Sequence, residues 1–201
     1  MPPTPPAPPT RCVRCHLHGP FCVCADLPRI ETAVQVVVVR HWKERRRTSN
    51  TGRLVHQCVS GSALVDFGGR GESFDPQMAT PPGAWLVFPR GSDDATDAPP
   101  DPTLPESRPR AIVLLDGSWG QARRMSHRIP GLSDLPRLAL PPPRADVPRL
   151  RQPHAPWAVS TVEAAALALS AVGEPAACDA LYDAFDLFVS RVRAQAGRFT
   201  Y

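Results

Sequence analysis

Ala111-Ile112-Val113-Leu114-Leu115-Asp116-Gly117-Ser118-Trp119-Gly120-Gln121-Ala122 is the stretch that decides the fold. Its first five residues are apolar without a break, the mark of a strand buried on both faces. Asp116-Gly117 ends the run. Ser118, followed three residues later by Gln121, reads as a capping box that opens a helix from about Trp119 to Arg128. A buried strand that turns at once into a helix is the repeating unit of an α/β fold. In open sheets of this kind ligands bind beyond the carboxyl ends of the strands, and Asp116 falls at such an end. The acid is a candidate base or ligand anchor. Trp119, in the first turn, is a candidate wall, although core packing explains a tryptophan there equally well. The capping box alone accounts for Ser118 and Gln121.

The alternation continues on both sides. Ala33–Val39 is a short valine-rich run and reads as a second buried strand. Asn50–Ser60 reads as a helix behind a polar start, Ala63–Phe67 as a strand, and Ala84–Phe88 as another buried strand that stops at Pro89-Arg90-Gly91. Ser92–Arg110 is rich in Asp and Pro and reads as a loop. Arg137–Leu140 is a short strand, Pro141–Pro156 a proline- and arginine-rich loop, and Thr161–Ala171 a helix. In the last helix, Ala177–Gln195, the residues Leu181, Phe185, Phe188, Val189 and Val192 form one apolar stripe for docking on a sheet. The pattern predicts an α/β fold with a largely parallel sheet flanked by helices, and no internal repeat is visible.

At 201 residues with 42% apolar content, the chain accommodates one domain with a real core plus a small appendage. No run of about 18 apolar residues suggests a membrane span. Met1–Thr10 is mostly proline, without a basic region or an apolar stretch, so it reads as a disordered or polyproline tail rather than a secretory signal. Cytoplasm is the expected location. The net charge of +4 suits an anionic partner without requiring one. Lys43 is the lone lysine among the basic residues, and coding bias in a GC-rich genome explains such a skew, so local clustering is the better guide. The tightest cluster is Lys43, Arg45, Arg46 and Arg47. A solvated charge run is the usual account of it. With His41, Asn50 and Thr51 beside it, contact with RNA phosphates is the reading taken here, and Arg144, Arg149 and Arg151 are candidates to extend that surface.

Residues 11–30 carry four of the six cysteines as Cys12-x-x-Cys15 and Cys22-x-Cys24, with Gly19-Pro20 supplying a turn between the pairs. Four soft ligands at this density match tetrahedral zinc. Two disulfides fit an oxidising compartment better than a chain without a signal peptide. An iron–sulfur cluster is compatible with four cysteines but normally uses wider spacing. With every position filled by thiolate, the metal would be structural. Cys58 and Cys178 lie in helices and read as buried small apolar residues.

Four segments, in order, resemble the DTW-domain family. They are the cysteine opening with Arg14 between its first pair; His41-Trp42-Lys43-Glu44 through Asn50-Thr51-Gly52; Asp116-Gly117-Ser118-Trp119 with Gln121-Ala122; and Ser160-Thr161-Val162-Glu163-Ala164. Together they span roughly residues 11–195. Trp42 departs from the pattern, which usually has proline after the histidine. The resemblance implies a SPOUT-like, knotted α/β sheet over residues 31–201, behind a zinc motif at 11–30. It also implies a tRNA-uridine aminocarboxypropyltransferase: an enzyme that moves the 3-amino-3-carboxypropyl group of S-adenosylmethionine (SAM) to N3 of a uridine and releases methylthioadenosine. On that reading Asp116 is the catalytic base or a donor anchor. Pro89, Asp116, Ser118, Trp119, Ser160, Thr161 and Glu163 bind the donor, and tRNA is the partner. Ser160 and Glu163 also form a capping box, so a purely structural role stays open for both. A SAM-dependent RNA methyltransferase and a non-catalytic, zinc-bearing RNA-binding module are the competing functions.

Overall fold

Five strands pair in parallel in the order β2-β1-β4-β3-β5. They are β1 (Gln35–His41), β2 (Ala63–Phe67), β3 (Ala84–Val87), β4 (Ala111–Asp116) and β5 (Arg137–Leu138). The helices are α1 (Gly52–Cys58), α2 (Pro76–Ala79), α3 (Trp119–Arg128), α4 (Thr161–Ala171) and α5 (Pro175–Arg198). This computed structural model describes residues 10–89, 108–151, 155 and 157–198. The expected proline tail up to Pro9, loop residues 92–107, and positions 152–154 and 156 of the later loop lie outside the described residues.

The valine run explains the centre of the sheet. Val36 to Val39 are all essentially inaccessible to solvent, because β1 is flanked on both edges and covered on both faces. Alternate side chains feed two cores. Val36, Val38, Ile112 and Leu114 pack under α1, α4 and α5. Val37, Val39, Val113 and Leu86 pack with Ala122, Met125 and Ala79 from α3 and α2. The neighbouring strands β1 and β4 therefore send their following helices, α1 and α3, to opposite faces. Two adjacent strands whose connections diverge leave a crevice at their carboxyl ends.

Several elements differ from expectation: α1 is trimmed to Gly52–Cys58, β3 stops at Val87 and α5 is extended to Pro175–Arg198. β1 begins two residues later than Ala33, since the Ala33 N–H is taken by the Glu174 carboxylate, and it runs on to His41. β5 stops at Leu138 rather than Leu140, just short of the proline run 141–143, which has no N–H to offer a ladder. α2 was not expected, although Asp75 caps it and Pro76 occupies its first position. The described elements give a parallel α/β sheet with helices on both faces.

The cysteine segment shares the main core through Leu17, Phe21 and Val23. It is also tied to α5 by the His18 N–H on Gln195 Oε1 (2.8 Å) and to α1 by Gln57 Nε2 on the Arg14 carbonyl (2.8 Å). The stripe on α5 is buried as its periodicity requires, with Leu181, Phe185, Phe188 and Val189 all inside. No helix among the described residues is long and apolar enough to cross a membrane. Leu181→Ala should cost about 2–5 kcal/mol in urea unfolding, whereas Met78→Ala, at an exposed position, should stay within about 0.5 kcal/mol. Equal effects would mean that α5 is not docked as described.

Candidate active site

Asp116 closes β4 at the crevice and is only 4% exposed. Two donors from distant parts of the chain meet its carboxylate. Asn50 Nδ2 donates to Oδ2 (2.5 Å), and Thr161 Oγ1 donates to Oδ1 (2.7 Å). Asn50 is itself held by the Arg53 N–H on its Oδ1 (3.0 Å), which turns its amino group toward the acid. The approach is close enough to require glycine at position 52: a Cβ there would lie 2.6 Å from the Asp116 carboxyl carbon and Oδ2. Burial raises the Asp116 pKa above the ordinary carboxylate value, against the lowering effect of the Asn50 and Thr161 bonds.

A cavity of about 350 Å³ lies over this node, within the size range of small-molecule sites. One wall is aromatic. Phe88 and Trp119 stack with ring centres 5.1 Å apart and planes within 2°, and Trp157 meets Trp119 edge-on at 5.3 Å. The Arg137 guanidinium sits 5.2 Å from the centre of the Phe88 ring, and Pro89 completes that side. The opposite wall is the start of α4. Its capping box is present in full: Glu163 N–H to Ser160 Oγ (3.4 Å) and Ser160 N–H to Glu163 Oε2 (2.9 Å). Glu163 is buried, and its Oε1 has no hydrogen-bond partner. The matching box at α3, between Ser118 and Gln121, is present as well.

The expected donor-site residues Pro89, Asp116, Ser118, Trp119, Ser160, Thr161 and Glu163 thus line one cavity. The expected RNA-contact residues divide. Lys43 is exposed, with its ammonium 5.6 Å from the centre of the Trp42 ring, and Arg46 and Arg47 are also exposed. Arg45 pairs with Glu72 and Asp66, and Arg47 with Glu44. His41 ends β1 at the rim beside Gly117, its imidazole pKa lowered by burial and then by Lys43. Asn50 and Thr51 are buried, Asn50 bonded to Asp116 and Thr51 lining the cavity. Arg149 and Arg151 turn into the cavity, on Glu163 (3.4 Å) and Glu44 (2.9 Å). Arg144 lies apart, on Asp179 and over Tyr182.

Residues missed by sequence reasoning include Gly52, whose need for a bare Cα arises from an acid 64 positions away in the chain, and the wall residues Phe88 and Trp157. Phe88 was legible only as the end of an apolar run. Trp157 sits in a proline-rich loop with no periodicity to single it out.

The four front cysteines gather as their spacing suggests, with all Sγ atoms within 4.8 Å of one another. Cys12–Cys24 and Cys15–Cys22 are each 3.7 Å apart, far from disulfide distance. Zinc–sulfur bonds of about 2.3 Å demand tetrahedron edges of roughly 3.8 Å, so the set fits zinc. The Cys12 thiol is lowered to about 6 by the Cys15 backbone N–H, while burial and the neighbouring thiols push Cys24 up.

Fold and site together define an α/β protein with a ligand crevice at the carboxyl ends of its central strands and a four-thiol metal motif in front. The DTW domain matches residues 9–193, and the chain belongs to this family, whose members modify tRNA. No solved structure matches it.

Two outcomes follow. In an open helix alanine outranks glycine by roughly 0.5–1 kcal/mol; at position 52 the clash reverses the sign, and Gly52→Ala should lose about 1–3 kcal/mol in urea unfolding. A stabilised variant would contradict the close approach. Purified protein should release one zinc per chain on thiol modification, and Cys15→Ser should lose both the metal and several degrees of Tm. A metal-free chain of unchanged Tm would contradict a structural metal.

Proposed function

We propose that the protein transfers the 3-amino-3-carboxypropyl group of SAM to N3 of a uridine in tRNA, releasing methylthioadenosine, on a SPOUT-like fold with a structural zinc at Cys12, Cys15, Cys22 and Cys24. The observation that carries this reading is the convergence of the third and fourth family segments, with Asn50 and Thr51 of the second, on one cavity at the carboxyl ends of β1 and β4. The aromatic wall suits a flat base, and Trp119 is its centre. The first-turn N–H groups of α4 suit the donor's carboxylate. Glu163 Oε1, buried and without a partner, suits the donor's ammonium.

The sulfonium activates three carbons, so the site selects the product by which carbon faces the nucleophile. Uracil N3 carries a proton and becomes nucleophilic when that proton leaves. Asp116, with its pKa raised by burial, is the base. The N3 electron pair then forms the bond to the terminal carbon of the aminocarboxypropyl chain. The carbon–sulfur bond breaks, and sulfur keeps that pair as the neutral thioether of methylthioadenosine. Asn50 and Thr161 hold the carboxylate in place for this step.

The test is incubation with tRNA and SAM labelled in the aminobutyrate part, followed by nucleoside mass spectrometry. Labelled aminocarboxypropyluridine and methylthioadenosine are expected; S-adenosylhomocysteine with an unlabelled methylated nucleoside would instead mean methyl transfer. Asp116→Ala should lower turnover by about 10²–10⁴-fold while circular dichroism stays native. Near-normal transfer would remove Asp116 from the chemistry.

A further inference from the structure

A second cavity, of about 560 Å³, shares no lining residue with the first. Its walls come from four parts of the chain: Arg14 and His16 from the cysteine segment, Arg40, Arg45 and Arg46 from the end of β1 and the turn after it, Arg53 from α1, and Leu64 from β2. Two of these charges are answered within the protein. Arg40 forms a two-pronged bond to Asp66 (2.7 and 3.0 Å), and Arg45 pairs with Asp66 and Glu72. Arg14, Arg46 and Arg53 form no ion pair among the described residues. The Arg53 guanidinium donates only to the backbone carbonyls of Arg45 and Arg47, which hold it in place without neutralising it. Three guanidinium groups without a carboxylate partner in one concave site suit a further anion.

The cleft is built rather than incidental. His16 is the one described non-glycine residue with positive φ (62°), a conformation that costs of order 1–3 kcal/mol and persists only where its surroundings enforce it. The enforcing bonds are its N–H to the Cys12 carbonyl (2.9 Å) and Arg11 Nη1 to its own carbonyl (3.0 Å). In this conformation His16 lines the cleft opposite Arg46, with the cysteine segment on one side and the basic turn on the other. Gln57 fixes the other side, through its bond to the Arg14 carbonyl.

The position relative to the reaction cavity narrows the ligand. Thr51 lines the first cavity and Arg53, two residues on, lines the second. Arg40 pairs in register with Asp116 across β1 and β4. The two sites thus adjoin the same short segment.

We infer that this cleft seats phosphodiesters of the RNA strand that flanks the target nucleotide, with Arg14, Arg46 and Arg53 as counter-charges and the four-cysteine motif as one wall. The inference rests on the RNA-substrate reading above. It gives the cysteine motif a binding duty besides support, since the motif holds Arg14 and His16 at the cleft.

The test is binding of bulk tRNA to the full chain by fluorescence anisotropy across a salt series, for wild type, Arg14→Ala/Arg46→Ala and Arg193→Ala. Arg14 and Arg46 are exposed, so the fold survives their loss; Arg193, exposed on α5, controls for the loss of one positive charge away from the cleft. The double variant should bind tRNA about 10-fold or more weakly near 0.1 M salt, with the slope of log K against log salt reduced by about 2. Arg193→Ala should change affinity by less than about 3-fold, and SAM affinity by calorimetry should be the same in all three. A double variant with wild-type affinity and slope, or Arg193→Ala losing as much as it does, overturns the cleft assignment alone. Wild type that binds no tRNA overturns the RNA-substrate reading itself.

Discussion

The arrangement turns on one buried carboxylate. Asp116 lies between the layers at the end of β4, and a charge there is sustained only by donors brought to it. Asn50 and Thr161 supply them, from the loop that leads into α1 and from the first residue of α4. Three segments that share no sequence neighbourhood are thereby fixed at one point. The fit leaves no room for a side chain at position 52, and Asn50 is held by the Arg53 N–H. Partly satisfied, such a node would destabilise the crevice; satisfied, it defines it.

The sheet sets where the node falls. Valine in β1 and the apolar run of β4 make these two strands the buried centre, and their helices leave toward opposite faces. The split opens the crevice directly over Asp116. The aromatic stack of Phe88 and Trp119 and the start of α4 then complete a cavity around an acid already in place. The cysteine motif braces α1 and α5 from the side, and its arginine and histidine face a second, basic cleft.

Much of this was legible in the residues because it is local. A valine run has one interpretation at this length, and both capping boxes, Ser118–Gln121 and Ser160–Glu163, formed as their spacing dictates. The four cysteines lie within thirteen positions and needed only a turn to meet. What escaped is long-range. Asn50 looked like a surface contact beside a basic run, and its bond to an acid 66 residues away has no local signature. Arg149 and Arg151 looked like additions to an exposed basic face; buried carboxylates on Glu163 and Glu44 draw them into the cavity instead.

The claim that one carboxylate couples the starts of α1 and α4 is tested most directly by a double-mutant cycle on Asn50→Ala and Thr161→Val, read by urea unfolding. The account predicts that the two losses fail to add, with a coupling of about 0.5–3 kcal/mol carried through Asp116. Losses that add within about 0.3 kcal/mol would contradict it, because independent sites behave in that way.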